Sequence, residues 1–144
     1  MDFSNLDKNI SEAEIERAEK DVGFSFPPPL RSLFLNSNGG VPDPYVLNHH
    51  KIVTTVSETL PLYSDQGFGT ALDSYSRLIS EQKIAPPFYL PFAVDSGGDY
   101  FFVDCTESSA PVSFYRSDCA SGEPPLIDLG LGLEAFWDSL VSPD

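Results

Sequence analysis

Residues 11–40 read SEAEIERAEKDVGFSFPPPLRSLFLNSNGG, a stretch that encodes two helices together with their ends. Ser11 is a strong N-cap residue, and Glu14 stands where its carboxylate can return the hydrogen bond in a capping box. Ile10 and Ile15 bracket that cap as a hydrophobic staple. Ile15, Ala18 and Val22 fall on one face, while Glu12, Glu16, Glu19 and Lys20 cover the other. Gly23 suits the left-handed conformation that closes a helix. A second helix opens after Phe26-Pro27, because proline in a first turn forfeits no hydrogen bond. It buries Leu30, Leu33 and Phe34, and is predicted to stop at Asn38-Gly39-Gly40.

Beyond Gly40 the chain turns at Val41-Pro42-Asp43-Pro44. Tyr45-Val46-Leu47 and Ile52 to Val56 read as short β-branched and aromatic strands, separated by the polar tract Asn48-His49-His50-Lys51. Residues 57–69 read as a loop. Ala71 to Gln82 is predicted helical, with Leu72, Tyr75, Leu78 and Ile79 at helical spacing. Phe88, Leu90, Phe92 and Val94 alternate with Tyr89, Pro91 and Ala93, so this segment reads as a strand. Ser96-Gly97-Gly98 can turn it back into Tyr100 to Asp104. Pro91 removes one ladder donor and predicts an interruption or an edge there. Val112 to Tyr115 is a further strand, Asp118 to Pro125 a loop, and Leu126 to Leu129 a short strand or extended piece. Leu131 to Val141 is predicted as a closing helix, with Leu133, Phe136, Trp137, Leu140 and Val141 on one stripe and Trp137 in the core. Runs of strands with segregated helices indicate a single α+β domain over 1–144 with a mainly antiparallel or mixed sheet and about four helices around it.

The chain has 144 residues, enough for a substantial core, and its hydrophobic share of 41% fits a folded protein. Eight basic against 22 acidic residues give a formal net charge of −14. Such a field repels nucleic acid and anionic lipid and speeds encounter with basic partners. No apolar run reaches membrane-spanning length, and the first ten residues lack the pattern of a secretory signal, so a cytoplasmic location is expected. Cys105 and Cys119, the only cysteines, are then expected to be free thiols. A hairpin closed near 107–110 would set Cys105 opposite residue 113, with Cys119 beyond the pairing.

Asp95, Asp99 and Asp104 gather around the Gly97-Gly98 turn, and with His49 or His50 they outline a possible metal-dependent hydrolase. Against that, aspartate is a standard turn residue, and neighbouring histidines on an extended chain point to opposite faces. Asn38-Gly39-Gly40 could form an anion nest, but a helix C-cap followed by a turn is expected, since the negative end of a helix dipole disfavours an anion there. No nucleophile elbow, phosphate-cradling loop or Cys-His dyad is visible. These residues give no catalytic, metal or cofactor site.

The opening stretch resembles the start of the SUKH superfamily, which includes bacterial toxin-immunity proteins and the fungal Smi/Knr-type cell-wall regulators. The shared pattern rests on Ser11, Glu14, Ile15, Glu19, Gly23, Phe26, Pro27, Leu33, Phe34, Asn38, Gly39 and Gly40. Leu90-Pro91-Phe92-Ala93, followed by Gly97-Gly98-Asp99-Tyr100-Phe101, is similar to the later part of the family, as are the Val112–Tyr115 strand and the closing helix. No family motif is recognised over residues 45–89, which leaves the subfamily open. The resemblance implies a SUKH-like fold and a domain that acts by binding: an immunity protein masking a basic toxin, often a nuclease. A Smi/Knr-type regulatory or scaffold module is the alternative. Local folding physics accounts for the opening motif, so partner contacts are expected after Gly40, in the loops and strands.

Overall fold

The computed structural model describes residues 1–119 and 122–143. In chain order the elements are β1 (Asp2–Ser4), α1 (Glu12–Val22), α2 (Pro28–Asn36), β2 (Val41–Asp43), β3 (Val46–Asn48), β4 (Val53–Thr55) and β5 (Glu58–Thr59). Then come α3 (Ala71–Tyr75), which runs on into a π-helical turn (Ser76–Glu81), β6 (Tyr89–Val94), β7 (Tyr100–Asp104), β8 (Pro111–Tyr115), β9 (Leu126–Gly132), α4 (Leu133–Ser139) and β10 (Leu140–Val141). The fold is α+β, and every described strand pair is antiparallel. A five-stranded sheet has the order β5-β6-β7-β8-β9, a three-stranded sheet the order β10-β3-β4, and β1 pairs with β2. A bridge from Gly40 to Thr59 joins the β2 end to β5.

Phe101 and Phe102 show how the layers are built. As neighbours on β7 they point to opposite faces, yet both are fully buried. Phe101 joins the main core with Ile15, Leu30, Phe34 and Phe136, supplied by α1, α2 and α4. Phe102 packs on the other side against Leu78 and Ile79 of the π-helical turn. The central sheet is therefore covered on both faces, and the alternation of β6 separates two apolar sides rather than core from solvent. The main core is aromatic: Phe101 lies 4.7 Å from Phe114 and 5.3 Å from Phe136, ring centre to ring centre. Burying each such ring contributes roughly 1.5–3 kcal/mol.

The two opening helices take their predicted form. Ser11 and Glu14 form the reciprocal capping box, and Gly23 closes α1 at φ 90°. Pro27 caps α2, with prolines filling its first turn. The Ala71–Gln82 helix has the expected extent, but its second half widens to π geometry.

Three expectations are corrected. The 41–43 segment is a strand rather than a turn, because β1 supplies a ladder partner that local sequence does not reveal. The closing helix spans only Leu133–Ser139; Leu131 belongs to β9, and Val141 pairs with Val46 and is exposed. The interruption expected at Pro91 is present as a bulge between Pro91 and Ala93, which absorbs the lost donor within β6, a strand between β5 and β7 and not at an edge. Ser113 faces Phe102 rather than Cys105, which places the hairpin register three residues from the predicted one. Both cysteines are free. Trp137 is half-buried, with its ring edge-on to Phe3 at 5.2 Å and to Phe92 at 5.9 Å.

Candidate functional site

The resemblance residues build scaffold joints. The Glu14 carboxylate returns the Ser11 cap by accepting the Ser11 backbone N–H at 3.0 Å, and Ile15 is fully buried. Glu19 holds α1 to α2. One carboxylate oxygen accepts the Phe26 N–H, and the other accepts Arg31 at 2.9 Å. That hydrogen bond raises the Arg31 guanidinium further above its ordinary value. Pro27 and Leu33 start α2 and anchor it in the core.

Asn38 is the densest joint. The expected C-cap at Asn38 is corrected: α2 ends at Asn36 with Ser37 as its cap, which leaves the Asn38 side chain for other segments. Its side-chain oxygen accepts the Leu62 N–H at 2.7 Å, and its amide donates to the Lys8 and Tyr63 carbonyls at 2.8 and 3.0 Å. Gly39 has φ 71°, and a Cβ there would lie 3.0 Å from the Pro61 Cβ. A Cβ on Gly40 would meet Leu6 at 2.8 Å. The Asn-Gly-Gly motif is thus a clamp on the N-terminal arm and the 60–63 segment. Neither anion binding nor helix capping is needed to explain it.

The possible catalytic residues are likewise engaged. Asp95 accepts the Gly97 and Asp99 N–H groups at 3.0 and 2.8 Å, and the Thr54 hydroxyl at 2.8 Å. Gly98 takes φ 90° in that turn. Asp99 accepts the Ser117 hydroxyl at 2.6 Å, and Asp104 ends β7 while accepting Thr106 at 2.9 Å. Among the described residues no three His, Cys, Asp or Glu side chains converge to hold a metal. The His49 and His50 rings stack at 4.3 Å instead of diverging, because the tract is a hairpin bend and not an extended strand. Both His49 nitrogens are used: Nε2 donates to the Leu129 carbonyl at 2.8 Å, and Nδ1 accepts the Lys51 N–H at 3.0 Å. Burial pushes the Cys105 thiol up to about 12.

The surface beyond Gly40 holds two neighbouring clefts that sequence did not reveal. One, of about 320 Å³, is bounded by Asp7, Thr59 and Ser64. The other, of about 500 Å³, is bounded by Asp73, Arg77 and Tyr100. Glu58, Leu60, Phe68 and Gly69 line both and form their common wall. Phe68 is 67% exposed. The only available signal was a lone aromatic between Gly67 and Gly69, and a loop reading passes over it. No described helix is long and apolar enough to cross a membrane.

The model of the SMI1 / KNR4 family (SUKH-1) matches residues 9–138. No curated protein matches the chain.

Proposed function

The chain belongs to the SMI1 / KNR4 family (SUKH-1), and on that premise we propose that it is a non-catalytic binding domain: an immunity protein that neutralises a cognate toxin. The observation that carries this reading is the charge. A formal −14 on 144 residues makes a field that draws in basic surfaces and repels nucleic acid. A nuclease toxin presents a basic cleft for phosphate, and an acidic protein can occupy or shadow it. The engagement of Asp95, Asp99, Asp104 and His49 in turns and backbone contacts supports binding over hydrolysis. The toxin-neutralising protein would work in the cytoplasm, without a cofactor.

The test is purification of the chain from its native host, with mass spectrometry of what accompanies it, followed by association kinetics on the recovered complex. The expected partner is a basic toxin domain whose association rate falls steeply with added salt. Recovery of acidic or membrane partners alone would sink the reading. The family's regulatory members keep a scaffold alternative in view. A toxin gene beside this one would favour immunity.

A further inference from the structure

The geometry points to the Phe68 ridge, with the acidic clefts on either side of it, as the surface that docks a basic protein partner carrying an apolar socket. This rests on the binding reading above and adds a location and an anchor. A single exposed aromatic is ordinary on a protein surface. Phe68 differs in how it is presented. It stands between Gly67 and Gly69, both at positive φ (76° and 74°), in a turn that leaves its ring exposed. Both ends of its loop are tied. On one side the Ser64 hydroxyl donates to Asp7 at 2.8 Å, and Gly67 N–H donates to the Ser64 carbonyl at 3.1 Å. On the other, Thr70 caps α3 by accepting the Asp73 N–H at 3.1 Å. These ties hold the ends of the loop, so covering Phe68 orders a shorter stretch of chain than covering an aromatic on an untied segment.

Charge selects the occupant. Glu58 lies in the shared wall and Asp73 in the larger cleft, and neither forms an ion pair among the described residues. Among the described residues, Arg77 is the one basic side chain lining the clefts. It is drawn onto Tyr100, donating to the phenol oxygen at 2.8 Å. Two copies, each at −14, repel one another, so a basic partner fits this surface better than a second copy.

The probe is a short peptide of alternating arginine and leucine, with an arginine–serine peptide of equal charge as control. Binding is followed by amide chemical shifts of the full chain. The expected shifts centre on Glu58, Phe68, Asp73 and Tyr100, with the leucine peptide binding at least tenfold more tightly than the control. Phe68→Ser should remove that difference, and Glu58→Gln with Asp73→Asn should weaken both peptides. Shifts spread over other acidic faces, or a leucine advantage that survives Phe68→Ser, would overturn the proposal. So would concentration-dependent self-association lost in Phe68→Ser. A toxin complex indifferent to Phe68→Ser refutes this surface and leaves the immunity reading standing. Peptide docking here, in a chain that protects against no basic toxin, does the reverse.

Discussion

The side-chain oxygen of Asn38 accepts the backbone N–H of Leu62 at 2.7 Å, across 24 residues of sequence. The same amide holds the Lys8 and Tyr63 carbonyls, so one buried side chain satisfies three backbone groups from two segments. Asn38→Ala strands all three and should cost about 3 kcal/mol, read as a lower urea midpoint at unchanged slope. Asn38→Asp should cost at least as much, since it removes both donors and sets a charge against two carbonyls.

Gly39 and Gly23 separate backbone strain from steric room. Both sit at positive φ, 71° and 90°, but an added Cβ meets Pro61 only at Gly39 and open space at Gly23. Gly23→Ala should cost about 1 kcal/mol from conformation alone. Gly39→Ala should cost more, because Pro61 backbone and ring atoms must also move. Equal losses in parallel denaturation curves would contradict this account of the clamp.

Glu19 has 14% of its side chain exposed and Arg31 has 25%, so their contact is partly shielded from water. Glu19→Ala removes the acceptor for both Arg31 and Phe26 N–H and should cost about 2 kcal/mol. Glu19→Gln keeps one acceptor oxygen and should recover part of the loss. Arg31→Lys should not restore full stability, because the guanidinium also reaches Glu12 at 3.5 Å and a single ammonium cannot span both acids.

These three joints show where sequence reading succeeds. Caps, staples and helix ends are local, so Ser11, Glu14, Gly23 and Pro27 declare themselves within a few residues. Glu19 and Asn38 were visible as motif positions, but their partners lie 12 and 24 residues away, beyond any local signal. The same limit explains β2, which is a strand only because β1 pairs with it, and α4, which is cut short because Val141 pairs with Val46. The Phe68 surface was the least legible. It depends on a loop folding against β5 and the N-terminal arm, and neither its glycines nor its phenylalanine states that alone.

Cys105 gives a pH prediction with a definite sign. Burial raises its thiol from 9.0 to about 12, so the folded state favours the neutral form. Its contribution to stability is complete below the unfolded value and is lost as pH rises from about 9 toward 12. Both cysteines are partly exposed, but the Cys105 thiol is held neutral, so thiol-selective alkylation in mildly alkaline buffer should modify Cys119 well before Cys105, with denaturant speeding Cys105. Mass mapping of the labelled peptides distinguishes the two. Modification of Cys105 as early as Cys119 would contradict a thiol held neutral in the folded state.

Asp95 tests whether the aspartates around the Gly97-Gly98 turn serve structure or a cation. Its carboxylate accepts two backbone N–H groups of its own turn and the Thr54 hydroxyl of β4, so it sets the β6–β7 reversal and ties the small sheet to the large one. Asp95→Ala should cost about 2 kcal/mol. Asp95→Asn keeps an oxygen for the turn, and the Thr54 hydroxyl can rotate to accept from the new amide, so it should cost less than half as much. If the role is structural, millimolar magnesium, calcium or manganese leaves the melting temperature of the wild type unchanged, and the loss in Asp95→Ala is the same with and without metal. A metal-dependent rise in the wild type that Asp95→Asn abolishes would instead place a cation among these carboxylates, because a specific ligand stabilises the folded state in proportion to its occupancy. The hydrogen bonds already made by Asp95, Asp99 and Asp104 favour the first outcome, since a cation would have to displace backbone donors from the turn it was meant to occupy.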